Sequence, residues 1–349
     1  MQLSVLSSWP RLFVQVFEQQ GVDTQALLKK LNIDASILED PNARLPTLAV
    51  VRFWQLAAQS CPAELPLIVA RGVNAGTFHA LGFAMATSQT GMEAIRRLEQ
   101  YYPMLTTSVQ LTLLETDDLV GIRLSSSDLL EALKAQFADH TLAESVSQLR
   151  ESAALGLLSL CRSFFGIQFS AERMTLKRSL GELYKPYQEH VQCTLLDQAE
   201  YDEVWFSKSD LNKPLPSANP LLAKLNDQIV ESYLNMLKED VVVLVTSEII
   251  KQLPSGDITQ ASVAAALNMS TRTLQRKLTD NEQSFRRLLN ETRQELALQY
   301  IQYENIPVLE IGYRLGFSEP ANFTRAFKQW TGQPPVLYRQ QFSERKGLN

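Results

Sequence analysis

Over the first hundred residues, apolar positions recur every three or four places, the spacing of helices that bury one face. Residues 10–20 form one such run, closed by Gly21, and Asp23-Thr24 opens the next, to Leu31. Asp40-Pro41-Asn42 reads as a turn, and Thr47 stands where it would cap a helix through Gln59. Residues 77–88 and 91–102 follow with the same period. The pattern then changes. Residues 109–115 and 119–124 alternate around Thr116-Asp117-Asp118, which predicts a β-hairpin. Residues 127–165 return to helical spacing, with Leu142, Val146, Leu149, Leu157 and Leu160 on the apolar positions. Short strands are expected around residues 174–177, 191–195 and 201–206, and Pro214-Leu215-Pro216 ends this mixed region. Asn219-Pro220 opens a helix to about Leu237, a second covers about 240–253, and Pro254-Ser255-Gly256-Asp257 turns into the last third. The pattern predicts an α+β domain over residues 1–238 and an all-α domain over residues 239–349.

The last third contains one helical unit written twice. The first copy reads Val263-Ala264-Ala265-Ala266-Leu267-Asn268-Met269-Ser270, then Thr271-Arg272-Thr273-Leu274-Gln275-Arg276-Lys277-Leu278. The second reads Ile311-Gly312-Tyr313-Arg314-Leu315-Gly316-Phe317-Ser318, then Glu319-Pro320-Ala321-Asn322-Phe323-Thr324-Arg325-Ala326-Phe327-Lys328. The copies align at an offset of 48 up to the serine, after which the second carries one extra residue. Val263 and Leu267, like Ile311 and Leu315, stand four apart and face a core. Ala264 and Gly312 are small where two helices must cross closely. Gly316 supplies a left-handed turn residue, and Asn268 is the best non-glycine substitute. Ser270 and Ser318 then stand as N-caps of the second helix in each copy. This is the pattern of a helix-turn-helix, and it predicts such motifs at about 259–280 and 306–329.

On each second helix, Leu274 and Leu278, or Phe323 and Phe327, are core positions, as is the later Trp330. That leaves Arg272, Gln275 and Arg276 facing out in the first copy, and Asn322 and Arg325 in the second. Arginine suits guanine edges, and asparagine or glutamine suits adenine edges. Residues 284–301 predict one helix between the motifs; about 18 residues at ~1.5 Å each span ~27 Å, of the order of one DNA turn. Arg286, Arg287 and Arg293 on that helix read as structural or phosphate-contacting, and Lys277 and Lys328 as phosphate contacts or solvated surface.

Through residues 311–318, 323–328 and the nearby Thr331-Gly332-Gln333-Pro334-Pro335-Val336-Leu337-Tyr338-Arg339, this region resembles the DNA-binding domain of the AraC/XylS family of bacterial transcription regulators. The resemblance covers about a hundred residues. More loosely, Phe78-His79-Ala80-Leu81-Gly82-Phe83-Ala84 with Thr90-Gly91-Met92-Glu93-Ala94, and the stretch from Tyr184 through Leu211-Asn212-Lys213-Pro214-Leu215-Pro216, resemble the effector-binding domain of one AraC subfamily. The resemblance implies a sensing and dimerising domain over 1–238 and a double helix-turn-helix domain joined by a long helix over 239–349. It implies an effector-responsive regulator, more often an activator, that reads two successive major grooves of double-stranded DNA. Carried over residue by residue, the DNA-binding set is Ser270, Thr271, Arg272, Gln275, Arg276, Ser318, Ala321, Asn322, Arg325 and Lys328. The implied partners are a small organic effector, a second copy of the chain meeting through residues 141–165 or 219–238, and RNA polymerase as a candidate. The residues that bind effector are not identified. A DNA-binding protein controlled by a protein partner, or acting architecturally without an effector, is the alternative.

Composition refines this picture. The chain has 349 residues, enough for two cores, and a net charge of -5 that is unevenly spread. Residues 241–349 hold 13 Lys and Arg against 10 Asp and Glu, whereas residues 1–240 hold 20 against 28. The positive balance coincides with the doubled motif. Cys61, Cys161 and Cys193 are far apart and odd in number, which argues for a reducing compartment and against a disulfide frame or zinc site. With no signal-peptide pattern and an apolar run at 241–245 too short for a membrane, a cytoplasmic protein is expected. His79, His140 and His190 lack metal-ligand spacing, and neither a phosphate-cradling glycine loop nor a nucleophile elbow occurs. The expectation is a protein without enzymatic activity, cofactor or metal. A DNA-repair methyltransferase with the same motif pair would need reactive cysteines in a cluster, and none is present in this sequence.

Overall fold

A computed structural model describes residues 3–127, 130–131, 140–239, 241–256, 258–303 and 306–345. The parts of the expected 127–165 helix at 128–129 and 132–139, the Asp240 start of the expected 240–253 helix, and Asp257 of the expected turn lie outside these residues. The chain forms two compact units, one of Leu3–Leu130 with Thr141–Asn235, the other including Met236–Asn349.

In the first unit, β1 (Ser4–Leu6) pairs antiparallel with β2 (Arg44–Pro46) beside the helices α1 (Ser8–Gln19), α2 (Thr24–Lys30), α3 (Thr47–Ala58), α4 (Leu65–Arg71), α5 (His79–Ala86) and α6 (Gly91–Tyr101). The apolar faces of α1 and α3 meet in an aromatic cluster: Phe13 and Trp54 stand edge-on at 5.2 Å between ring centroids, and Phe17 lies 5.3 Å from Phe53. Such pairs add roughly 0.5–1.5 kcal/mol each beyond the area they bury. Thr47 begins α3 but does not cap it; Pro46 occupies the cap, and the Thr47 hydroxyl instead bonds Ser108. The single helix expected over 77–88 is also corrected. A tight turn at Ala75–Phe78 precedes α5, and His79, the first residue of α5, adopts a positive φ of +54°, a break that periodicity cannot show.

The expected hairpin is present as β3 (Val109–Glu115) and β4 (Leu119–Ser126), in a register that sets Leu113 opposite Ile122. After the long α7 (His140–Phe165) come β5 (Arg173–Thr175), α8 (Tyr184–Val191), β6 (Thr194–Leu196), β7 (Asp202–Ser207) and the short α9 (Lys208–Leu211). The five strands form one sheet in the order β3-β4-β7-β5-β6, antiparallel except between β5 and β6. The strand expected at 191–195 starts later because Val191 closes α8, with Gln192 left-handed behind it. Central β7 buries two carboxylates, and each has a guanidinium: Arg150 pairs with Asp202, and Arg123 bonds Glu203 at 2.6 Å. Buried charges persist only when paired in this way. On the same sheet Gly121 faces Trp205, and a Cβ there would come within 2.6 Å of the indole. Helix α10 (Pro220–Glu239) then begins behind Asn219, whose side chain accepts the Leu222 N–H. Among the described residues, no helix is long and apolar enough to cross a membrane.

The second unit is helical: α11 (Val241–Gln252), α12 (Gln260–Ala266), α13 (Thr271–Asp280), α14 (Phe285–Tyr303), α15 (Val308–Arg314), α16 (Pro320–Thr331) and α17 (Pro335–Arg345). The fold is an α+β domain followed by an all-α domain with two helix-turn-helix motifs joined by a long helix. Its core draws on Val245, Ile249, Val263, Leu274, Leu296, Tyr300, Ile311, Leu315, Phe323 and Phe327.

Candidate nucleic-acid interface

The two motifs, α12–α13 and α15–α16, are built by the same local chemistry. Thr259 and Ser262 exchange bonds in a capping box that starts α12. The helix ends as Asn268 turns left-handed at φ +54°, and the N–H of Met269 returns to the Ala264 carbonyl at 2.8 Å. The second copy repeats this: Gly316 has φ +71°, and the N–H of Phe317 reaches the Gly312 carbonyl at 3.0 Å. These bonds satisfy carbonyls that a helix end leaves without partners. Ala264 is buried, and a Cβ on Gly312 would sit 3.2 Å from the Cβ of Phe323, so both small residues stand at close crossings. Leu315 is fully buried, whereas its counterpart Leu267 keeps partial exposure.

The two turns then diverge. Ser270 caps α13, its Oγ accepting the Thr273 N–H at 3.1 Å and sharing a 2.8 Å bond with the Thr273 hydroxyl. Ser318 does not cap α16. The extra residue of the second copy moves the cap to Glu319, whose side chain makes no capping bond, and Pro320 opens the helix. Proline lacks the N–H that a cap would satisfy, and its ring presets the helical φ. Ser318 is exposed on the turn itself.

Leu274 and Leu278 point α13 inward, leaving Thr271, Arg272, Gln275 and Arg276 exposed on its other side. Phe323 and Phe327 do the same for α16, leaving Ala321, Asn322, Arg325 and Lys328 exposed. The structure thus places all ten sequence-derived residues at the turn or on the outer face of a second helix. It also ties two together: Arg325 donates from Nη2 to Asn322 Oδ1 at 2.7 Å and from Nε to the Ala321 carbonyl at 3.4 Å. Trp330, expected in the core, is only half-buried. It stands at the edge of the apolar stripe, 6.3 Å from Phe317, and lines a surface groove with Arg286, Asn290 and Gln294.

The linking helix α14 has 19 residues, with the Ser284 hydroxyl accepting the Arg287 N–H at 3.3 Å. Its arginines separate by role. Arg287 is exposed and pairs with Glu291 at 2.7 Å. Arg293 turns inward and bonds the Leu315 and Gly316 carbonyls, each at 2.9 Å, with its guanidinium 4.5 Å from the Phe317 ring centre. Burial pulls its pKa down from the ordinary arginine value. Periodicity marks Arg293 only as a cation on a helix; its partners come from a turn more than twenty residues away.

Elsewhere, the three cysteines are free, and burial pushes Cys161 up to about 12 and Cys193 up to about 11. Thiols so raised are weak nucleophiles at neutral pH.

Residues 21–215 match the family described as the arabinose-binding domain of AraC transcription regulator, N-terminal, and residues 263–341 match a helix-turn-helix domain family. The chain is 26% identical over 340 residues to the ornithine utilization regulator of Pseudomonas aeruginosa, covering 95% of each chain. A shorter match, 35% over 95 residues, links 27% of this chain to 32% of the urease operon transcriptional activator of Escherichia coli. The crystal structure of transcriptional regulator CdpR from Pseudomonas aeruginosa aligns at a TM-score of 0.44 with 18% identity, over 93% of this chain and 98% of that one. The helix-turn-helix match and the arabinose-binding match, the latter spanning more than half of the sequence, make this chain a member of the AraC family and a DNA-binding transcription regulator.

Proposed function

We propose that the protein is an effector-responsive activator that reads two successive major grooves, with α13 in one and α16 in the next. The observation that carries this is the pair of exposed donor rows, Arg272, Gln275 and Arg276 on α13 and Asn322 and Arg325 on α16, each backed by buried side chains. At ~1.5 Å per residue the 19-residue α14 is about 28 Å long, near the ~34 Å of a DNA turn. Ser270, Thr271, Ser318 and Lys328 fit phosphate contacts at the groove edges, and Ala321 fits a thymine methyl.

The domains divide near residues 238–239, and the first is the sensor. A cavity of about 80 Å³ within it is lined largely by apolar groups, including Trp9, Phe13, Val50, Tyr102, Val146 and Leu149, and is the candidate effector seat. The homodimer forms through α10, where Leu222, Leu225, Ile229 and Met236 are all exposed at seven-residue repeat spacing. That spacing is the one by which a helix packs against another copy of itself. The protein acts in the cytoplasm, without catalysis of its own, and presents bound DNA to RNA polymerase.

Capture of genomic fragments by the purified protein at moderate salt, followed by sequencing, tests this reading. The expected result is a few enriched sites holding two short boxes about one helical turn apart. In those sites Arg276→Ala and Arg325→Ala should each cost about 1–3 kcal/mol of specific binding and less of non-specific binding. Equal losses in both would make these residues phosphate anchors, and enrichment without sequence preference would overturn the regulator reading in favour of an architectural one.

A further inference from the structure

We infer that Arg293, acting on Gly316, fixes the spacing at which the protein accepts its two DNA boxes; this rests on the two-groove reading above. Three segments meet at one point. The guanidinium of Arg293, from the linking helix, bonds the successive carbonyls of Leu315 and Gly316 in the turn of the second motif, each at 2.9 Å. Gly316 in turn lies against the segment that leads into the first motif: a Cβ on it would stand 2.7 Å from the Leu253 carbonyl oxygen and 3.1 Å from Ile258 Cδ1. Linking helix, second turn and the approach to the first motif are therefore packed against one another without room for a side chain.

The chemistry makes this joint stiff. Leu315 is the C-cap of α15, so its carbonyl is among the groups a helix end leaves without intrahelical partners. The Gly316 carbonyl follows it in the turn, and the negative end of the helix dipole favours a cation beside both. A guanidinium holds both oxygens through two fixed N–H vectors and lays its plane near the Phe317 ring, 4.5 Å away. An ammonium is a point charge on a flexible stem and cannot hold two acceptors and a ring face at once. Forty-eight residues earlier, the first copy has Val245 at the corresponding place, fully buried. The guanidinium clamp belongs to the second motif.

A stiff joint has a consequence on DNA. Inserting one base pair between boxes moves the second by about 3.4 Å along the axis and turns it by about 34°. A rigid pair of readers cannot follow that displacement, whereas readers joined loosely can, and lose only part of the gain from binding both boxes at once. Arg293 touches no base in this arrangement and acts as a positioning residue.

The test uses the full-length protein and duplexes carrying a captured operator: at its natural spacing, with two base pairs inserted between the boxes, and with the second box scrambled. Wild type should bind the inserted duplex at least tenfold more weakly than the natural one. Arg293→Lys should narrow that ratio to about threefold or less while still binding the natural duplex at least tenfold more tightly than the scrambled one, with affinity for the first box alone unchanged. A ratio narrowed because the natural and scrambled duplexes bind equally would mean a lost second reader and overturns the inference. Arg293→Lys that discriminates spacing as sharply as wild type overturns the inference, as does a parallel loss of first-box affinity, which would mark a general loss of structure. If wild type binds the scrambled duplex as tightly as the two-box operator, the two-groove reading itself falls and takes this inference with it.

Discussion

The two turns differ in what they leave room for, and substitution at Gly316 and Asn268 separates the effects. Both are left-handed, at φ +71° and φ +54°, so placing alanine at Gly316 costs about 1–2 kcal/mol from backbone strain alone. At Gly316 a second penalty follows. The new Cβ meets the Leu253 carbonyl oxygen at 2.7 Å, a backbone atom that cannot rotate away, and crowding of this kind costs about 1–3 kcal/mol. Gly316→Ala should therefore destabilise the second motif by about 2–5 kcal/mol. Asn268→Ala already starts from a side-chain-bearing residue and should cost about 1 kcal/mol, while Asn268→Gly should be neutral or slightly stabilising. Amide hydrogen exchange read by mass spectrometry on the intact chain reports each motif separately. At 1.4 kcal/mol per factor of ten, Gly316→Ala should speed exchange in peptides from 308–331 about 30-fold or more, and Asn268→Ala about fivefold in peptides from 260–280. Equal factors for the two alanine variants would refute the assignment of close packing to Gly316.

Other substitutions probe other parts of the molecule. Ser270→Ala should cost about 1 kcal/mol in denaturant melting because it removes the cap of α13, whereas Ser318→Ala should cost almost nothing in the absence of DNA. Glu151 is buried and bonds both Arg178 and the Tyr187 hydroxyl, so Glu151→Ala should destabilise the first domain by about 3–5 kcal/mol in urea titration. Burial, with Arg162 and Arg71 nearby, pushes His190 down to about 4 from its ordinary value near 6.5. Between those values the unfolded chain binds more protons, so stability should fall as pH is lowered from 6.5 toward 4. Melting curves of His190→Gln should show a shallower fall over that window, and an unchanged slope would count against the burial argument. Ile229→Glu on the exposed stripe of α10 should shift sedimentation from dimer to monomer while leaving the helical circular dichroism unchanged.

Regular spacing made most of the fold legible in the sequence. Periodicity gave α1, α2, α3 and α6, the hairpin of β3 and β4, and α10, because each has a face that must be buried, but it did not mark the seven-residue α4. The doubled motif was legible for a stronger reason: Ala264 and Gly312, then Asn268 and Gly316, are residue types demanded by backbone geometry. What periodicity missed depends on single residues. One inserted position with Pro320 behind it removes Ser318 from the cap, and the positive φ of His79 splits what spacing reads as one helix. Trp330 is apolar by type, yet its place at the stripe's margin leaves one side in a groove. The Arg293 bonds and the Arg325–Asn322 pair were out of reach for a different reason, since a sequence shows that a cation is present but not which acceptor it turns toward.

The joint around Gly316 also bears on how such a protein can be re-engineered. Arg293 grips main-chain oxygens, and the atoms facing Gly316 are the Leu253 backbone oxygen and the tip of Ile258. None of Arg272, Gln275, Arg276, Ala321, Asn322 or Arg325 takes part. The outward letters can thus be rewritten while the frame that holds them stays intact. A library randomised at those six positions should keep its fold and its box spacing, and should yield regulators addressed to new promoters.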